Sequence, residues 1–294
     1  MVLMEYLENE FLRIEFSAQH GAAITKGEAK VNGQWVPFLY SDQSQSGKIN
    51  ANGMYVLAPF SNRISKGGFE FEGVKHPVNR NVETETYPLH GNAWQSEWKM
   101  ASQSESEILY RLENASFPPF DYNAELKYSI QDNTLHCELK VTNRGSNPLP
   151  FGMGFHPWFY RHEGTEVYFE ALGIWMEDDE HLPTKHLSLV EAANWSFNEF
   201  RAMPEHLINN AYTEWNGVAT IVQPEDGLSI RVTGSDLLSY LILYSPDQSA
   251  EFLCLEPVSH PVDAHNQRSF PGLVTLSNGE SISAEMSIRL SPIK

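Results

Sequence analysis

The chain has 294 residues, of which 41% are hydrophobic, enough to bury a sizeable core in one large β-rich unit. Its formal net charge of −18 repels phosphate backbones and anionic lipid surfaces, so neither nucleic acid nor a membrane is expected as a partner. Residues 1–10 carry three glutamates and no basic segment followed by an apolar one, which predicts no signal peptide. Because no apolar run approaches the ~20 residues of a membrane span, a cytoplasmic location is expected.

Alternation of apolar and polar residues recurs along the chain and predicts β-strands with one buried face. The clearest examples are residues 12–16, 69–72, 122–130, 135–141 and 282–290. The Asp-Asn pair at 132–133 and the Asp-Gly pair at 226–227 are typical of hairpin turns. Helical patterns are weak and are confined to residues 187–194 and 197–200.

The chain shows no linker, low-complexity tract, internal repeat or abrupt change in composition. The sequence therefore predicts one all-β domain over residues 1–294, a large antiparallel β-sandwich with few short helices and with its chemistry on the rim loops. Cys137 and Cys254 lie on predicted strands and form no CxxC, so both are expected to be buried free thiols.

Several motifs that carry other chemistries are absent. The chain contains no HExxH, GxGxxG, GxxxxGK[ST] or GxSxG, the markers of zinc hydrolysis, nucleotide binding and serine-esterase chemistry. The close pairs among its eleven histidines are not at a common ligand spacing, which favours solvated or structural histidines over a metal site.

Two segments in the first third of the chain hold candidate binding residues. Arg63 precedes the alternating 69–72 segment, and its guanidinium can hydrogen-bond two neighbouring hydroxyls; the alternative is an ion pair with a nearby carboxylate. His90 precedes Gly91, which permits a sharp turn or close approach of a ligand, and Trp94 could cover an apolar sugar face. The alternative is a turn with a capping histidine and a core tryptophan.

Two later segments hold candidate acid–base residues, each followed by a proline. His156 lies in an aromatic setting beside Pro157, at a predicted strand exit, and could shuttle a proton near pH 7; a packed structural histidine is the alternative. Glu256 ends an apolar strand before Pro257, where partial desolvation would raise the pKa of its carboxyl group and make it a better base. The alternative is a strand-end glutamate paired with a basic residue.

Taken in order, these segments resemble the aldose 1-epimerase (galactose mutarotase-like) family. The patterns are NR-I-x-x-G-x-F-x-F-x-G at residues 62–73, L-H-G at 89–91, G-x-H-P-[WY]-F at 154–159 and E-P-x-x-x-P-x-D-A-x-N at 256–266. The resemblance spans roughly residues 20–290. It implies a β-supersandwich and an isomerase acting on a monosaccharide, with no cofactor or metal required.

The resemblance also implies roles at particular positions. Glu256 matches the general base, His156 the general acid and His90 a second active-site histidine. The residues expected to bind the sugar are Asn62, Arg63, Trp158 and Asn209. Asn209 departs from the family pattern, which often has a substrate-binding Asp in I-D-x-x-[FY] before W-x-G; an amide donates and accepts hydrogen bonds but carries no negative charge.

The sequence thus predicts interconversion of the α and β anomers of a free hexose by a monomer or homodimer. The chemistry needs His156 protonated while Glu256 is ionised, which predicts a histidine pKa near or above neutrality. Three alternatives stay open. A non-catalytic carbohydrate-binding protein is kept open by Asn209; a sugar-6-phosphate mutarotase would need converging basic residues; a glycoside hydrolase would need a second carboxylate beside Glu256.

Overall fold

The computed structural model describes residues 5–41 and 53–293, so residues 1–4 of the N-terminal segment lie outside the described residues. Within those ranges the chain is built almost entirely from strands, and helix is confined to three 3-10 turns, at Ala93–Gln95, Ala193–Trp195 and Ala264–Asn266. None of the described helices has the length and apolar character needed to cross a membrane.

The described residues contain 24 strands. In chain order they are β1 (Tyr6–Glu8), β2 (Leu12–Ser17), β3 (Ala23–Val31), β4 (Gln34–Leu39), β5 (Met54–Leu57), β6 (Gly68–Phe71), β7 (Val74–Pro77), β8 (Lys99–Gln103), β9 (Glu107–Phe117), β10 (Phe120–Gln131), β11 (Thr134–Asn143), β12 (Leu149–Phe151), β13 (Gly154–Tyr160), β14 (Glu166–Phe169), β15 (Gly173–Glu177), β16 (Pro183–Ser188), β17 (Arg201–Ala202), β18 (Ile208–Thr213), β19 (Val218–Gln223), β20 (Leu228–Gly234), β21 (Tyr240–Ser245), β22 (Phe252–Val258), β23 (Val274–Leu276) and β24 (Ser281–Pro292).

Two large sheets organise the described chain, and their strand ladders are antiparallel. Sheet A has eleven strands in the order β1-β2-β3-β4-β13-β22-β21-β18-β15-β16, with β5 paired to both β3 and β13. Sheet B has nine strands in the order β17-β14-β19-β20-β24-β11-β10-β9-β8, and β6–β7 and β12–β23 form two small ribbons. The predicted all-β antiparallel class is confirmed.

One apolar core contains side chains from one face of each large sheet. Phe155 and Leu255 of sheet A belong to the same buried cluster as Leu139 and Ile288 of sheet B. In β10 the even-numbered residues from 120 to 130 are buried and their neighbours are not, as the alternation predicts. The alternation of apolar and polar residues along each strand therefore determines which side chains enter this core.

Sheet A buries its second face too, and that face carries the candidate site. In β13, Phe155 and Phe159 enter the main core, whereas Trp158 packs against a separate cluster that includes Tyr55 and Val258. His156 and Trp158 share that second face because residues two apart in a strand point the same way. One face of sheet A thus packs in the main hydrophobic core, and the other face carries the polar side chains of the candidate site.

The predicted turns and thiols agree with the structure. Residues 132–133 form the two-residue turn between β10 and β11, where Gln131 pairs with Thr134. Residues 226–227 lie in the connection between β19 and β20, where Gln223 pairs with Leu228. Both cysteines are buried and free.

The predicted helices are wrong. Residues 187–188 complete β16, residues 189–192 form a turn, and only the short 3-10 turn from Ala193 follows. The backbone and hydroxyl of Ser188 both donate to Glu191 Oε2, a local alternative to helical hydrogen bonds. Residues 197–200 are irregular because Phe197 is drawn into the core against Phe169, at 5.3 Å between ring centroids.

Replacing Leu139 by alanine tests the shared core. This fully buried side chain of β11 packs between the sheets, and its truncation should lower the free energy of unfolding by about 2–5 kcal/mol. Its neighbour Lys140 is exposed, and Lys140→Ala should change stability by no more than about 0.5 kcal/mol. Urea unfolding followed by circular dichroism measures both. Equal effects of the two variants would contradict this packing.

Candidate active site

His156 and Glu256 face each other across the adjacent strands β13 and β22. The register pairs Gly154 with Val258 and Trp158 with Cys254, which puts the two residues directly opposite on the second face of sheet A. His156 Nε2 lies 3.2 Å from Glu256 Oε1. Strand pairing thus brings together two residues that are 100 positions apart in the sequence.

The two prolines interrupt the ladder without ending the strands. We expected His156 at a strand exit and Glu256 at a strand end, but each lies inside its strand, which continues for two or more residues. The pairing between β13 and β22 is broken between Gly154 and Trp158, where Pro157 and Pro257 cannot donate a backbone hydrogen bond. On its other side His156 pairs with Tyr55 of β5, whose ring stacks on the imidazole at 4.5 Å.

Burial sets the charge state of this pair. The side chains of His156 and Glu256 are only 6% and 4% exposed. Burial raises the pKa of Glu256 to about 8, against the opposing effect of the Arg63 charge, and burial lowers the pKa of His156 to about 3. The raised glutamate pKa agrees with our expectation, but the expected near-neutral histidine pKa is wrong because desolvation disfavours the imidazolium. The free site therefore holds its proton on the carboxyl group.

His90 presents one ring nitrogen to the same place. The backbone N–H of Asn62 donates to His90 Nδ1 at 2.9 Å, so the neutral ring carries its proton on Nε2. Burial, followed by the neighbouring His156, lowers the pKa of His90 well below its usual value and keeps the ring neutral. The His90 and His156 rings meet edge to face at 5.3 Å. His90 is thus a neutral hydrogen-bond donor beside the acid–base pair.

The loop that carries His90 is held in an uncommon conformation. His90 and Gly91 both have φ of +61°, and a Cβ on Gly91 would overlap the carbonyl oxygen of Ala58. The side chain of Asn81 donates to the carbonyls of Leu89 and Gly91 and accepts from the Leu89 N–H. These contacts explain why glycine is required after the histidine.

Arg63 forms the ion pair that was its alternative interpretation and also lines the cavity. It lines the cavity, and its Nη2 and Nε also donate to Glu85 Oε2 at 2.8 and 3.3 Å. Its Nη1 donates to the Asn62 side-chain oxygen at 3.3 Å. The guanidinium is therefore oriented by its neighbours, and its charge is compensated by Glu85.

The second half of the 256–266 motif anchors the Arg63 loop. The Asp263 carboxylate accepts from the Ser65 N–H and hydroxyl at 2.8 and 2.6 Å, and the Asp263 N–H donates to the Arg63 carbonyl. Asn266 donates to Asp263 Oδ1 at 2.9 Å. This part of the motif is structural, because its side chains hold the loop and do not line the cavity.

A cavity of about 260 Å³ brings the predicted residues together. All seven predicted site residues line it, namely Asn62, Arg63, His90, His156, Trp158, Asn209 and Glu256. Trp94 also lines it and stacks on Tyr55 at 5.5 Å. Sequence reasoning missed the lining residues Tyr55, Glu85, His181 and Tyr244. Only strand alternation could have indicated Tyr55 and Tyr244, whereas Glu85 and His181 lie in loops and carried no local signal.

A larger groove of about 390 Å³ lies on sheet B, away from these residues. It is lined by side chains of β10, β11 and β24, among them the ion-paired Lys127 and Glu138. It lacks a buried acid–base pair, so the smaller cavity is the candidate active site.

Three residues of the cavity could also hold a cation. One ligand atom each from His90, His156 and Glu256 lies within 4.8 Å of the others. Two imidazoles and a carboxylate are a donor set that suits zinc and similar divalent metals. The prediction of a metal-free site stays a prediction.

Comparison with known proteins identifies the family. The model of the aldose 1-epimerase family matches residues 7–289. The uncharacterized protein YphB of Escherichia coli (strain K12) is 30% identical over 293 residues, covering 97% of each chain. The Escherichia coli (strain K12) protein YihR, also uncharacterized, is 24% identical over 72% of this chain and 71% of its own.

Solved structures share the fold. A crystal structure from Escherichia coli K12 superposes with a TM-score of 0.91 at 29% identity and covers 99% of both chains. A galactose mutarotase-like protein from Clostridium acetobutylicum gives a TM-score of 0.83 at 19% identity, over 98% of this chain and 95% of its own. The family match over nearly the whole sequence, supported by this shared architecture, shows that the chain belongs to the aldose 1-epimerase family.

Proposed function

We propose that this protein is an aldose 1-epimerase that interconverts the α and β anomers of a neutral free hexose. The observation that carries the proposal is the buried Glu256–His156 pair, 3.2 Å apart, in the wall of a cavity of about 260 Å³. That volume lies just below the roughly 300–1,000 Å³ of pockets for drug-sized ligands. A single sugar ring suits it better than an oligosaccharide does.

The proposed reaction needs two proton transfers and no redox change. Glu256 takes the proton of the C1 hydroxyl, His156 gives a proton to the ring oxygen, and the bond between C1 and the ring oxygen breaks. Rotation of the open aldehyde about C1–C2 and reversal of the transfers close the ring as the other anomer. Each positioned acid or base typically contributes ~10²–10⁴-fold.

The proposed reaction needs the proton distribution opposite to that of the free site. In the free site the proton lies on Glu256, whose pKa burial raises, and His156 is neutral. A carboxylate and an imidazolium form if this proton moves across the 3.2 Å contact between Oε1 and Nε2. The raised pKa of Glu256 and the lowered pKa of His156 oppose that transfer in the free site, so the bound sugar has to stabilise the charged pair. Arg63 favours the carboxylate, and the neutral His90 can donate from Nε2 to a sugar oxygen.

Charge argues for a neutral sugar over a sugar phosphate. Arg63 is the one Lys or Arg among the described residues that line the cavity, and Glu85 already pairs with it. A phosphate would have to compete with Glu85 for that guanidinium and would meet the buried Glu256 without a second lysine or arginine.

The remaining alternatives also fit less well. A glycoside hydrolase needs two free carboxyl groups, whereas Glu85 is committed to Arg63. A protein that only binds sugar gains nothing from burying a carboxyl group and an imidazole together, since desolvating ionisable groups is costly. The acid–base pair therefore favours catalysis.

Purified protein should speed the polarimetric decay of freshly dissolved α-D-glucose or α-D-galactose, in the presence of EDTA as well as in its absence. Acceleration that disappears with EDTA would assign the chemistry to a metal at His90, His156 and Glu256. No acceleration with any aldose of a broad panel would overturn the proposed function in favour of a binding protein.

Glu256→Gln and His156→Asn should each lower kcat by about 10²–10⁴-fold, because each removes one proton-transfer group. Polarimetry gives the rates, and far-ultraviolet circular dichroism confirms the fold. Lys140→Ala, on the exposed surface of sheet B, is the control and should keep full activity. Wild-type rates in either site variant would remove that residue from its role.

The buried carboxyl group should also make stability fall in alkaline solution. The pKa of Glu256 is about 8 in the folded protein and near 4.5 when exposed, so the folded state binds more protons between these values. Its contribution to stability is complete below pH 4.5 and is lost as pH rises through about 8. From pH 7 to 9 the free energy of unfolding should fall by about 1 kcal/mol more in wild type than in Glu256→Gln. Urea unfolding at each pH measures this, and parallel profiles would contradict the raised pKa.

A further inference from the structure

The hairpin between β15 and β16 brings a histidine to the cavity that the proposed chemistry does not use. His181 lies in the connection between these strands, at the edge of sheet A, and lines the cavity beside Asn209. Its φ is +61°, the same left-handed conformation as His90. Such backbone strain persists only where surrounding contacts enforce it, and it is concentrated at functional sites.

A carboxylate outside the cavity lining orients both His181 and Asn209. Glu177 Oε1 lies 3.0 Å from His181 Nδ1, and Glu177 Oε2 accepts from Asn209 Nδ2 at 3.0 Å. Because His181 and Asn209 each use one polar atom to contact Glu177, the second polar atom of each side chain, His181 Nε2 or Asn209 Oδ1, faces away from this carboxylate. Within the described residues, His181 Nε2 and Asn209 Oδ1 make no protein hydrogen bond. Two oriented polar atoms are therefore available to a ligand in the cavity.

The hairpin is fixed before any ligand arrives. Asp178 Oδ1 accepts from the backbone N–H groups of Glu180 and Leu182 at 2.9 and 3.0 Å and closes the turn. The Tyr87 hydroxyl donates to Glu180 Oε2 at 2.9 Å and ties the turn to the loop that carries Glu85. Polar groups held this way lose little freedom on binding, which is what recognition requires.

Strand order determines the distance between Asn209 and the Glu256–His156 pair. Asn209 is on β18, two strands away from Glu256 on β22, with β21 between them. At about 4.8 Å between neighbouring strands, the two backbones are about 10 Å apart. A sugar whose C1 meets Glu256 would present to Asn209 and His181 a hydroxyl from the far side of its ring.

We propose that His181, positioned by Glu177 beside the expected sugar ligand Asn209, adds a hydroxyl-recognition subsite that selects the sugar by the configuration of a hydroxyl remote from C1. This inference rests on the proposed function and deepens it. The ligand class is a neutral pyranose whose remote hydroxyl donates to Asn209 Oδ1 and exchanges a hydrogen bond with His181 Nε2. Asn209 and His181 contact the substrate, and Glu177 is a positioning residue.

The subsite is tested by kcat and KM for pairs of aldoses that differ at one hydroxyl, such as D-glucose with D-galactose and D-glucose with D-mannose. His181→Ala should raise KM for the preferred sugar about tenfold, leave kcat within about threefold and weaken the preference between epimers. His186→Ala is the matched control, because His186 is on the same hairpin but bonds to Thr213 outside the cavity lining. It should keep wild-type values.

Two further variants separate recognition from folding. His181→Asn removes the imidazole with a residue that tolerates φ of +61°, and it should reproduce the KM effect if the alanine variant misfolds. Glu177→Gln keeps the side-chain shape but removes the charge that orients His181, and it should raise KM without lowering kcat. A general loss of structure would lower the active fraction and kcat in the same proportion.

The outcomes distinguish this inference from the proposed function. Wild-type KM and epimer preference in folded His181→Ala or His181→Asn, or a loss of kcat alone, would overturn the subsite and leave the epimerase intact. If wild type proves inactive on every aldose, the proposed function fails, and sugar binding followed by ligand-observed NMR decides the subsite. Weaker binding in His181→Ala but not in His186→Ala supports it; unchanged binding, or none in wild type, overturns it.

Discussion

The site depends on one cross-strand contact, a carboxyl group and an imidazole buried together on neighbouring strands. Removal from water makes both charged forms costly, which raises the pKa of Glu256 and lowers that of His156. The same strand pairing leaves His156 Nε2 and Glu256 Oε1 3.2 Å apart, within the distance of a direct proton transfer. Neither residue would have these properties on an exposed loop.

Sheet A makes this burial possible because both of its faces are covered. Its first face packs on sheet B, while its second face is covered by the loops that carry Arg63 and His90 and by Trp94. With a side-chain period of two, a slip of one residue in β13 or β22 would send His156 or Glu256 into the hydrophobic core. The register that stabilises the sandwich is therefore the register that builds the site.

Buried and half-buried polar side chains hold the covering loops in place. Asn81 bonds to the backbone on both sides of His90, and Asp263 binds the backbone and hydroxyl of Ser65 beside the Arg63 turn. Glu85 holds the guanidinium of Arg63 through an ion pair, and Glu177 holds the imidazole of His181. These hydrogen bonds fix cavity-lining side chains or the loops that carry them, so the cavity is formed without a ligand.

The sequence by itself determined the strands whose alternation matches burial in β10, β11 and β24. It also indicated seven of the residues that line the cavity, most of them marked by short motifs in fixed order. Only the tertiary structure decided how His156, Glu256 and Tyr55 meet, because strand order in a sheet is not local information. It also decided the low pKa of His156, which depends on burial from all sides. Glu85 could not be found in advance because its partner Arg63 lies in another loop, and Glu177 could not because it also binds Asn209 of another strand.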